Sequence, residues 1–332
     1  MSRAERDLSS VGDRVLLGRL ERPRTESPTR LAVVGDPHVA TRAEGTSRVF
    51  HRTEERLRTA VDDLNGRDVD AVVFPGDLTK DGEPWNHDRF ESLLTELDPP
   101  SVVTPGNHDL QKRGDEHECP SPSSFATRYG TGSLPARYEI GPVDLFVLNS
   151  AAGPDGPYVD THRGFVSDDQ LAWLDDGLES AAVPIVACHH NVLPLVSEPL
   201  RSASAWRVYT MRGRERVRSV LDAHDVALVL GGHHHLPALV KRRGLAQLVA
   251  PAVASYPQAY CLLEIDADGT SVWLVSHADA AERAEAYREA AAGAPIARTL
   301  LGLTESILDD CPLLYEPTGV ADDILTESVA RE

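Results

Sequence analysis

Lysine is almost missing from this sequence: of its 33 basic residues only Lys80, Lys112 and Lys241 are lysine, and the others are arginine. The basic residues face 52 acidic ones, so the chain of 332 residues has a formal net charge of −19. Proteins that bind nucleic acids without sequence preference neutralise phosphates with many basic side chains. We therefore do not expect a nucleic-acid polymer as a partner. An acidic surface with few lysines also favours a salt-rich cytoplasm, where charges are strongly screened.

Long apolar segments and paired cysteines are missing too. No run of about 18 apolar residues occurs, which excludes a helix that spans a membrane. The N-terminal residues contain no apolar core of a secretion signal. The cysteines, Cys119, Cys188, Cys261 and Cys311, lie far apart without Cys-x-x-Cys spacing, so we expect reduced thiols and no disulfide framework or zinc ribbon. Together these features predict a cytoplasmic protein that does not bind membranes.

Apolar residues make up 41% of the chain, which is enough to bury a sizeable core. At roughly 150 residues per domain the length is compatible with two domains, although one α/β domain can be this long. No repeat or low-complexity linker divides the sequence. We predict an N-terminal extension at residues 1–30, a central domain at residues 31–277, and a helical, acidic appendage at residues 278–332 that packs on that domain.

The hydrophobic pattern changes along the chain. Apolar runs that predict buried strands occur at residues 31–34, 71–74, 101–103, 145–148, 184–187 and 226–230, and helical patterns separate most of them. Ser167 and Gln170 form the pattern of a capping box that begins one of these helices. Residues 247–276 predict strands without helices, with a turn at 266–269. This order predicts an α/β fold with a mixed sheet or two packed sheets flanked by helices.

Polar residues follow five of the predicted strands. The segments are Gly35-Asp36-Pro37-His38, Pro75-Gly76-Asp77, Pro105-Gly106-Asn107-His108-Asp109, Cys188-His189-His190-Asn191 and Gly231-Gly232-His233-His234-His235. Because ligand sites collect at the carboxyl ends of strands in α/β sheets, we expect these side chains to share one pocket. In extended backbone, residues i and i+2 point the same way, so Asp36 and His38 would face one site, as would His233 and His235.

The residue types in these segments indicate a metal centre. Carboxylate, amide oxygen and imidazole together suit divalent ions such as Mn, Fe, Co or Zn better than Ca or Mg alone. The segments offer more candidate ligands than one ion needs. Two ions that share a bridging carboxylate would use them economically.

The ordered motifs Asp-x-His, Gly-Asp, Gly-Asn-His-Asp, His and Gly-His-x-His resemble those of the calcineurin-like metallophosphoesterases. The resemblance runs from Asp36 to His235 and implies two mixed β-sheets packed as a sandwich and flanked by helices, an αββα fold. It also implies two divalent metal ions, Mn²⁺ and/or Fe, with Zn²⁺, Co²⁺ or Ni²⁺ as alternatives. By the same resemblance the ligands are Asp36, His38 and His235 for one ion, Asn107, His189 and His233 for the other, and Asp77 for both.

The resemblance also assigns residues around the metals. It implies that His108 is a catalytic group beside the substrate phosphate and that Asp109 orients His108. We favour His189 as the metal ligand from its strand end, with His190 as the alternative ligand. If His189 is the ligand, His190 would lie next to the ligands or face the substrate. His234 is placed at the rim of the pocket or in a structural role.

Charge counting gives a mechanism for such a centre. Two divalent ions outweigh the carboxylates of Asp36 and Asp77, so the site would be locally positive, by about +2, inside an acidic shell. It would attract a small anionic phosphoester, and a hydroxide bridging the metals would attack phosphorus in line. His108 would neutralise developing charge or protonate the leaving oxygen.

The substrate class follows less directly. Gly164-Phe165-Val166-Ser167 and the helix pattern after it are similar to the branch that contains bacterial cyclic nucleotide phosphodiesterases. We therefore predict hydrolysis of a small phosphodiester such as a cyclic nucleotide, with a phosphomonoesterase or nucleotide pyrophosphatase as alternatives. A nuclease of this family is disfavoured because no basic DNA-facing segment occurs. A protein-binding scaffold that has lost catalysis is the alternative of another class. Residues 158–168 and 197–212 are predicted to form the rim over the metals.

Overall fold

The protein is described by a computed structural model that covers residues 10–112, 115–153, 156–157, 162–195, 211–309 and 313–314. The strands are β1 (Ser10–Leu20), β2 (Thr29–Val33), β3 (Ala71–Phe74), β4 (Ser101–Val103), β5 (Ala136–Ile140), β6 (Val143–Val147), β7 (Ala152–Gly153), β8 (Gly156–Pro157), β9 (Pro184–Ala187), β10 (Leu228–Gly231), β11 (Ala238–Arg242), β12 (Leu245–Val249), β13 (Ala259–Asp266), β14 (Gly269–Ser276) and β15 (Leu313–Leu314). The helices are α1 (Thr53–Asn65), α2 (Pro84–Leu94), α3 (Pro122–Tyr129), α4 (Asp168–Leu178), α5 (Arg214–Ala223), α6 (Ala280–Ala292) and α7 (Pro295–Asp309).

The strands form two large mixed sheets. The seven-stranded sheet has the order β15-β1-β14-β13-β2-β3-β4, and the six-stranded sheet has the order β11-β12-β10-β9-β6-β5. In the first sheet β2, β3 and β4 are parallel neighbours, and in the second β6, β9, β10 and β12 are. The hairpin of β13 and β14 closes at Asp266 and Gly269, where the sequence predicts a turn. The predicted fold of two mixed sheets flanked by helices is confirmed.

Buried strands explain why the sequence reads as short apolar runs. Leu31 and Val33 of β2 belong to the apolar core that contains strands of both sheets, whereas Ala32 and Val34 belong to the core that contains residues of helices α1 and α2. A strand that is covered on both faces needs apolar residues at every position. Helices α4 and α5 contribute their apolar residues to the core that contains the six-stranded sheet. Because neighbouring strands in each sheet are parallel, their carboxyl ends lie side by side at one edge of that sheet.

The N-terminal region contributes a strand that the sequence pattern did not reveal. Part of the segment predicted as an extension forms β1, which pairs antiparallel with β14. Its register shifts between Leu16 and Gly18, and its sequence mixes glycine and arginine with leucine, so no clear period marks it. Leu17 and Leu20 are nevertheless buried in the core between the sheets.

Two helices follow the last long strand and pack on the domain. Asp279 begins α6 with a complete capping box, in which its side chain accepts from Glu282 N and Glu282 reaches back to Asp279 N. Glu282 also pairs with the fully buried guanidinium of Arg56 on α1. Ile307 of α7 enters the core. None of the helices in the described ranges is both long and apolar enough to cross a membrane.

Candidate metal centre

Polar side chains from both sheets meet at the carboxyl ends of the strands. They come from the segments after β2, β3 and β4 in one sheet and after β9 and β10 in the other. Potential ligand atoms form two groups, each with all members within 4.8 Å of one another. The groups are Asp36, His38, Asp77 and His235, and His189, His190 and His233. These groups draw on four of the five predicted segments, and the fifth joins them through Asn107, whose Oδ1 lies 3.1 Å from His189 Nε2.

The backbone at this site is strained. Of the ten non-glycine residues with positive φ in the described part of the chain, five are predicted ligands: Asp36, His38, Asp77, His233 and His235. Their φ values lie between 45° and 75°, a region that is unfavourable for residues with a Cβ. The extended backbone expected for the two pairs i and i+2 is therefore wrong. Left-handed turns bring the side chains into the site, and such strain is typical of functional positions.

Two glycines allow the loops to approach the carboxylates closely. A Cβ on Gly106 would lie 2.2 Å from the backbone nitrogen and Oδ1 of Asp77, and one on Gly232 would lie 2.6 Å from Oδ2 of Asp36. No side chain fits at such distances. The absence of a Cβ is therefore required at both positions, as the sequence pattern indicated.

Asp77 lies between the two groups of ligand atoms. Its Oδ2 is 3.5 Å from His38 Nε2, and its Oδ1 is 3.4 Å from His189 Nε2. Oδ1 also accepts a hydrogen bond from the backbone nitrogen of His108 at 2.9 Å. The two carboxylate oxygens thus face imidazoles of different groups, the arrangement that a bridging carboxylate needs.

The second group places unshared electron pairs against one another. His189 Nδ1 donates to the carbonyl of Pro75 at 2.8 Å, and His233 Nε2 donates to that of His162 at 2.9 Å. In the neutral rings, His189 Nε2 and His233 Nδ1 are then both acceptors, yet they lie 3.1 Å apart. Asn107 Oδ1, a third acceptor, is 3.1 Å from His189 Nε2. Three converging acceptors need a proton or a cation among them, so this donor set fits a metal ion.

The first group is oriented in the same way. His38 Nδ1 lies 3.3 Å from the carbonyl of Thr79, and His235 Nδ1 lies 3.0 Å from Ser255 Oγ. Their Nε2 atoms face each other at 3.0 Å. Fixing one ring nitrogen by an oxygen directs the other at the metal, which is how ligand histidines are usually held. Ser255 was not predicted, and no pattern around it in the sequence indicates its role.

Burial and neighbouring charges shift the pKa values of these groups. Burial raises the pKa of Asp36 to about 8, although the nearby His189 lowers it. Burial alone would lower the pKa of His189, but the carboxylates of Asp77 and Asp36 outweigh it and raise this pKa to about 9. For His38 and His235, burial followed by the positive charge of Arg48 lowers the pKa well below its usual value. Without metal, protons balance the buried carboxylates.

His108 is held by a carboxylate other than the one predicted. Its Nδ1 lies 2.9 Å from Asp81 Oδ1. Lys80 and Lys112, two of the three lysines in the chain, also pair with this carboxylate. Burial opposes its ionisation, but the hydrogen bonds from His108 and Lys112 hold the pKa of Asp81 well below its usual value.

The prediction that Asp109 orients His108 is therefore wrong. The Asp109 carboxylate instead accepts from Thr79 N at 3.0 Å and from Gly106 N at 2.8 Å, so it ties the loop after β3 to the loop after β4. The sequence could not indicate this partner, because Asp81 lies 27 residues before His108, in the loop after β3, and only the folded loops bring the two together.

His190 and His234 have separate partners. His190 Nδ1 lies 2.8 Å from Ser150 Oγ, while its ring lies near His233, so it remains in the second group of potential ligands. His234 Nδ1 accepts a hydrogen bond from Asn191 Nδ2, and burial lowers the pKa of His234 to about 3. His234 thus takes part in a buried polar network, which agrees with the structural role considered for it.

A cavity of about 410 Å³ opens beside the cluster. His108 and four of the ligand candidates line one side of it, and the remaining wall includes Arg48, Ile296 and Leu300. None of these three residues was predicted at the site, because Arg48 is one of many arginines and the other two lie in a helix beyond the last motif. Of the predicted rim, residues 158–161 and 197–210 lie outside the described residues.

Comparison with known proteins agrees with this geometry. The family model for the calcineurin-like phosphoesterases matches residues 29–237. A probable cyclic nucleotide phosphodiesterase from Synechococcus sp. is 27% identical over 249 residues, which cover 73% of this chain and 87% of that protein. A 3',5'-cyclic-nucleotide phosphodiesterase from Nostoc sp. is 26% identical over 220 residues, which cover 61% and 74%.

Among solved structures, a dimetal phosphatase from Danio rerio superposes with a TM-score of 0.61 at 16% identity, covering 76% of this chain and 97% of that one. This likeness supports the fold. The family model spans more than half of the chain and includes all five polar segments at the strand ends. The chain therefore belongs to the calcineurin-like phosphoesterase family and is a hydrolase that acts on phosphoester bonds.

Proposed function

We propose that this protein is a metal-dependent phosphodiesterase that acts on a small phosphodiester such as a cyclic nucleotide. Two divalent ions, Mn²⁺ and/or Fe, would be held by Asp36, His38, Asp77, Asn107, His189, His233 and His235. His189 is preferred to His190 because its Nε2 faces Asn107, His233 and Asp77.

The position of Asp77 carries the proposal. Its two oxygens face imidazoles of the two groups, and its burial keeps water from competing for them. Burial would raise the pKa of Asp77, but the charges of His189 and His108 hold it well below the usual value. A carboxylate that stays ionised between two sets of nitrogen ligands suits two cations that share it.

The chain's own residues would supply the rest of the chemistry. When bound, two divalent ions provide positive charge that stabilises a developing phosphorane-like transition state and activates water. His108 lines the cavity, and its Nδ1 lies 2.9 Å from Asp81 Oδ1. In its doubly protonated form it would keep Nδ1–H on Asp81 and pass the Nε2 proton to the leaving oxygen. Asp81 stays ionised and would stabilise the charged imidazole, while Asp109 holds the two loops together.

Three observations favour a small diester over the alternatives. Both relatives described above are named as cyclic nucleotide phosphodiesterases. The cavity has a volume typical of small-molecule sites. The net charge of −19 repels polyanions such as DNA. A phosphomonoesterase and a nucleotide pyrophosphatase remain the rival enzymes, and a scaffold without catalysis is the rival of another class.

A substrate panel separates these functions. The Mn-loaded protein should hydrolyse bis(p-nitrophenyl) phosphate and cyclic AMP faster than p-nitrophenyl phosphate, a dinucleotide pyrophosphate or single-stranded DNA. Faster hydrolysis of the monoester or the pyrophosphate would select that rival. A protein that binds less than one transition metal ion per chain and hydrolyses nothing would be a scaffold.

Asp77→Asn tests the bridging role directly. We expect loss of metal-dependent diester hydrolysis by at least about 1,000-fold, together with fewer bound metal ions, because one shared ligand loses its charge. Metal content by mass spectrometry and initial rates are the measurements. Asp70→Asn is the matched control, because Asp70 is an exposed carboxylate at the opposite end of β3. Turnover and metal content like those of the unmodified protein in Asp77→Asn would contradict the proposal.

A further inference from the structure

The cavity has two walls that metal binding does not explain. One is the loop segment Thr46, Ser47 and Arg48, and the other is the beginning of α7 with Ile296, Ala297 and Leu300. The first wall is cationic and the second is apolar. Four ligand candidates, Asp77, Asn107, His233 and His235, line the same cavity, so a molecule whose phosphate lies beside them has these two walls around its other groups.

Arg48 has an unsatisfied donor at this wall. Its Nε is buried without a hydrogen-bond partner, and among the residues that the structure describes no carboxylate lies within ion-pair distance of its guanidinium. The buried Arg56, by contrast, pairs with Glu282. A buried donor without a partner costs free energy. A phosphate oxygen would satisfy it, since the guanidinium matches phosphate geometry.

The loop that carries Arg48 is strained. Thr46 has a φ of 63° and Val49 a φ of 46°, and both are β-branched residues for which left-handed backbone is rare. Val49 and Phe50 are buried and anchor the end of the loop in the domain. Packing therefore imposes a conformation that the local sequence disfavours, and its result is an arginine directed into the cavity.

The apolar wall comes from one side of α7. Ile296 and Leu300 lie four residues apart, one helical turn, and both are half-buried beside the cavity. Leu301 and Ile307 are buried against the domain and hold the helix in place. An apolar group that covers these two half-buried aliphatic side chains would be stabilised by the apolar surface removed from water.

We propose that Arg48 binds a charged oxygen of the phosphodiester and that Ile296 and Leu300 bind a compact apolar or aromatic ester group of the same molecule. This inference rests on the proposed phosphodiesterase function and defines its substrate class. The substrates would be diesters with one aryl-like or nucleobase-like group, in preference to diesters whose second group is small or cationic.

Two diesters with the same leaving group test the apolar wall. Bis(p-nitrophenyl) phosphate and methyl p-nitrophenyl phosphate both release p-nitrophenol, so the change of their kcat/KM ratio between variants reports contacts to the second group. We expect Leu300→Ala to lower the ratio of aryl to methyl diester by about 10-fold. Leu303→Ala is the matched control, because Leu303 lies on the same helix and packs on the core. Equal ratios in Leu300→Ala and Leu303→Ala would overturn this part.

Phosphate binding tests Arg48. We expect Arg48→Gln to lower kcat/KM for both diesters, and to raise the Kd of inorganic phosphate for the Mn-loaded protein, by about 10- to 100-fold. Arg48→Lys should restore part of the loss. Arg42 lies in the same loop as Arg48, is exposed and stacks on Trp85 of α2. Arg42→Gln should change neither kcat/KM nor the Kd of phosphate. A phosphate Kd in Arg48→Gln equal to that in Arg42→Gln would overturn the assignment.

The two proposals fail differently. If the Mn-loaded protein hydrolyses no diester, the proposed function is wrong, and phosphate calorimetry still decides the role of Arg48. If it hydrolyses both diesters but neither variant differs from its control, the function stands and the substrate pocket is wrong.

Discussion

At the residue scale, each site group is positioned by a specific partner. His189 and His233 donate to backbone carbonyls, so their remaining nitrogens point at the cluster. The Asp81 carboxylate likewise holds Nδ1 of His108, so Nε2 of His108 is left for the cavity. Two of the three lysines in the chain, Lys80 and Lys112, pair with Asp81. A cationic environment keeps this carboxylate ionised beside the proposed acid.

Asp81→Asn should lower kcat for diester hydrolysis by about 100-fold, because a neutral amide stabilises the charged imidazole poorly and fixes its orientation less well. Metal content and melting temperature should change little, since Asp81 is outside both groups of ligand atoms. Steady-state kinetics and metal analysis are the measurements. Asp88→Asn, an exposed carboxylate paired with Arg128, is the control. If kcat in Asp81→Asn matched that control, Asp81 would have no role in positioning His108.

At the scale of elements, the C-terminal helices are part of the cavity and not only an appendage. The beginning of α7 lines it, while α6 is joined to α1 by the pair of Arg56 and Glu282. The Arg56 side chain is 2% exposed and that of Glu282 is 23% exposed. A buried guanidinium cannot lose its partner without cost, so this contact fixes where α6, and with it α7, sits.

Arg56→Met should lower the free energy of unfolding by about 2–4 kcal/mol, because it leaves Glu282 partly buried without a counter-charge. Arg58→Met is the matched control on the same helix. Arg58 pairs with Glu96 where both side chains are about 40% exposed, and such pairs contribute roughly 0–1 kcal/mol. Urea unfolding measures both changes, and similar losses in the two variants would show that the Arg56 pair does not anchor α6.

For the whole molecule, charge acts at two distances. The surface carries the net charge of −19, whereas the site gathers two buried carboxylates that need positive charge. In the metal-free protein that charge comes from protons, which the pKa of about 8 for Asp36 and of about 9 for His189 retain at neutral pH. Metal ions and protons therefore compete for the same atoms.

Metal loading at about pH 7 should release roughly two protons per chain, one from Asp36 and one from His189. The folded pKa values of both groups lie above those of unfolded chains, so the metal-free protein loses stability as pH rises towards about 9. The bound metal replaces these protons, so the difference in melting temperature between Mn-loaded and EDTA-treated protein should widen from about pH 6.5 to 8.5. A constant difference, or the same response in Asp77→Asn, would contradict this prediction.

The order of motifs and the apolar strands were readable from the sequence because they depend on local neighbours. Each buried parallel strand requires a continuous apolar run, and each ligand follows one, so the fold and the candidate ligands could be predicted together. Family membership confirmed that interpretation. Strand β1 was not predicted, because an irregular register and a mixture of polar and apolar residues hide its alternating pattern.

Only the tertiary structure decided which groups meet across the chain. Asp81 instead of Asp109 on His108, the left-handed backbone of the ligands, and the approach of Arg48 and α7 to the cavity all depend on packing between segments far apart in sequence. Packing can hold strained backbone and buried charge that local propensity disfavours. The sequence alone therefore determined the chemistry at the strand ends, and the fold determined which groups surround it.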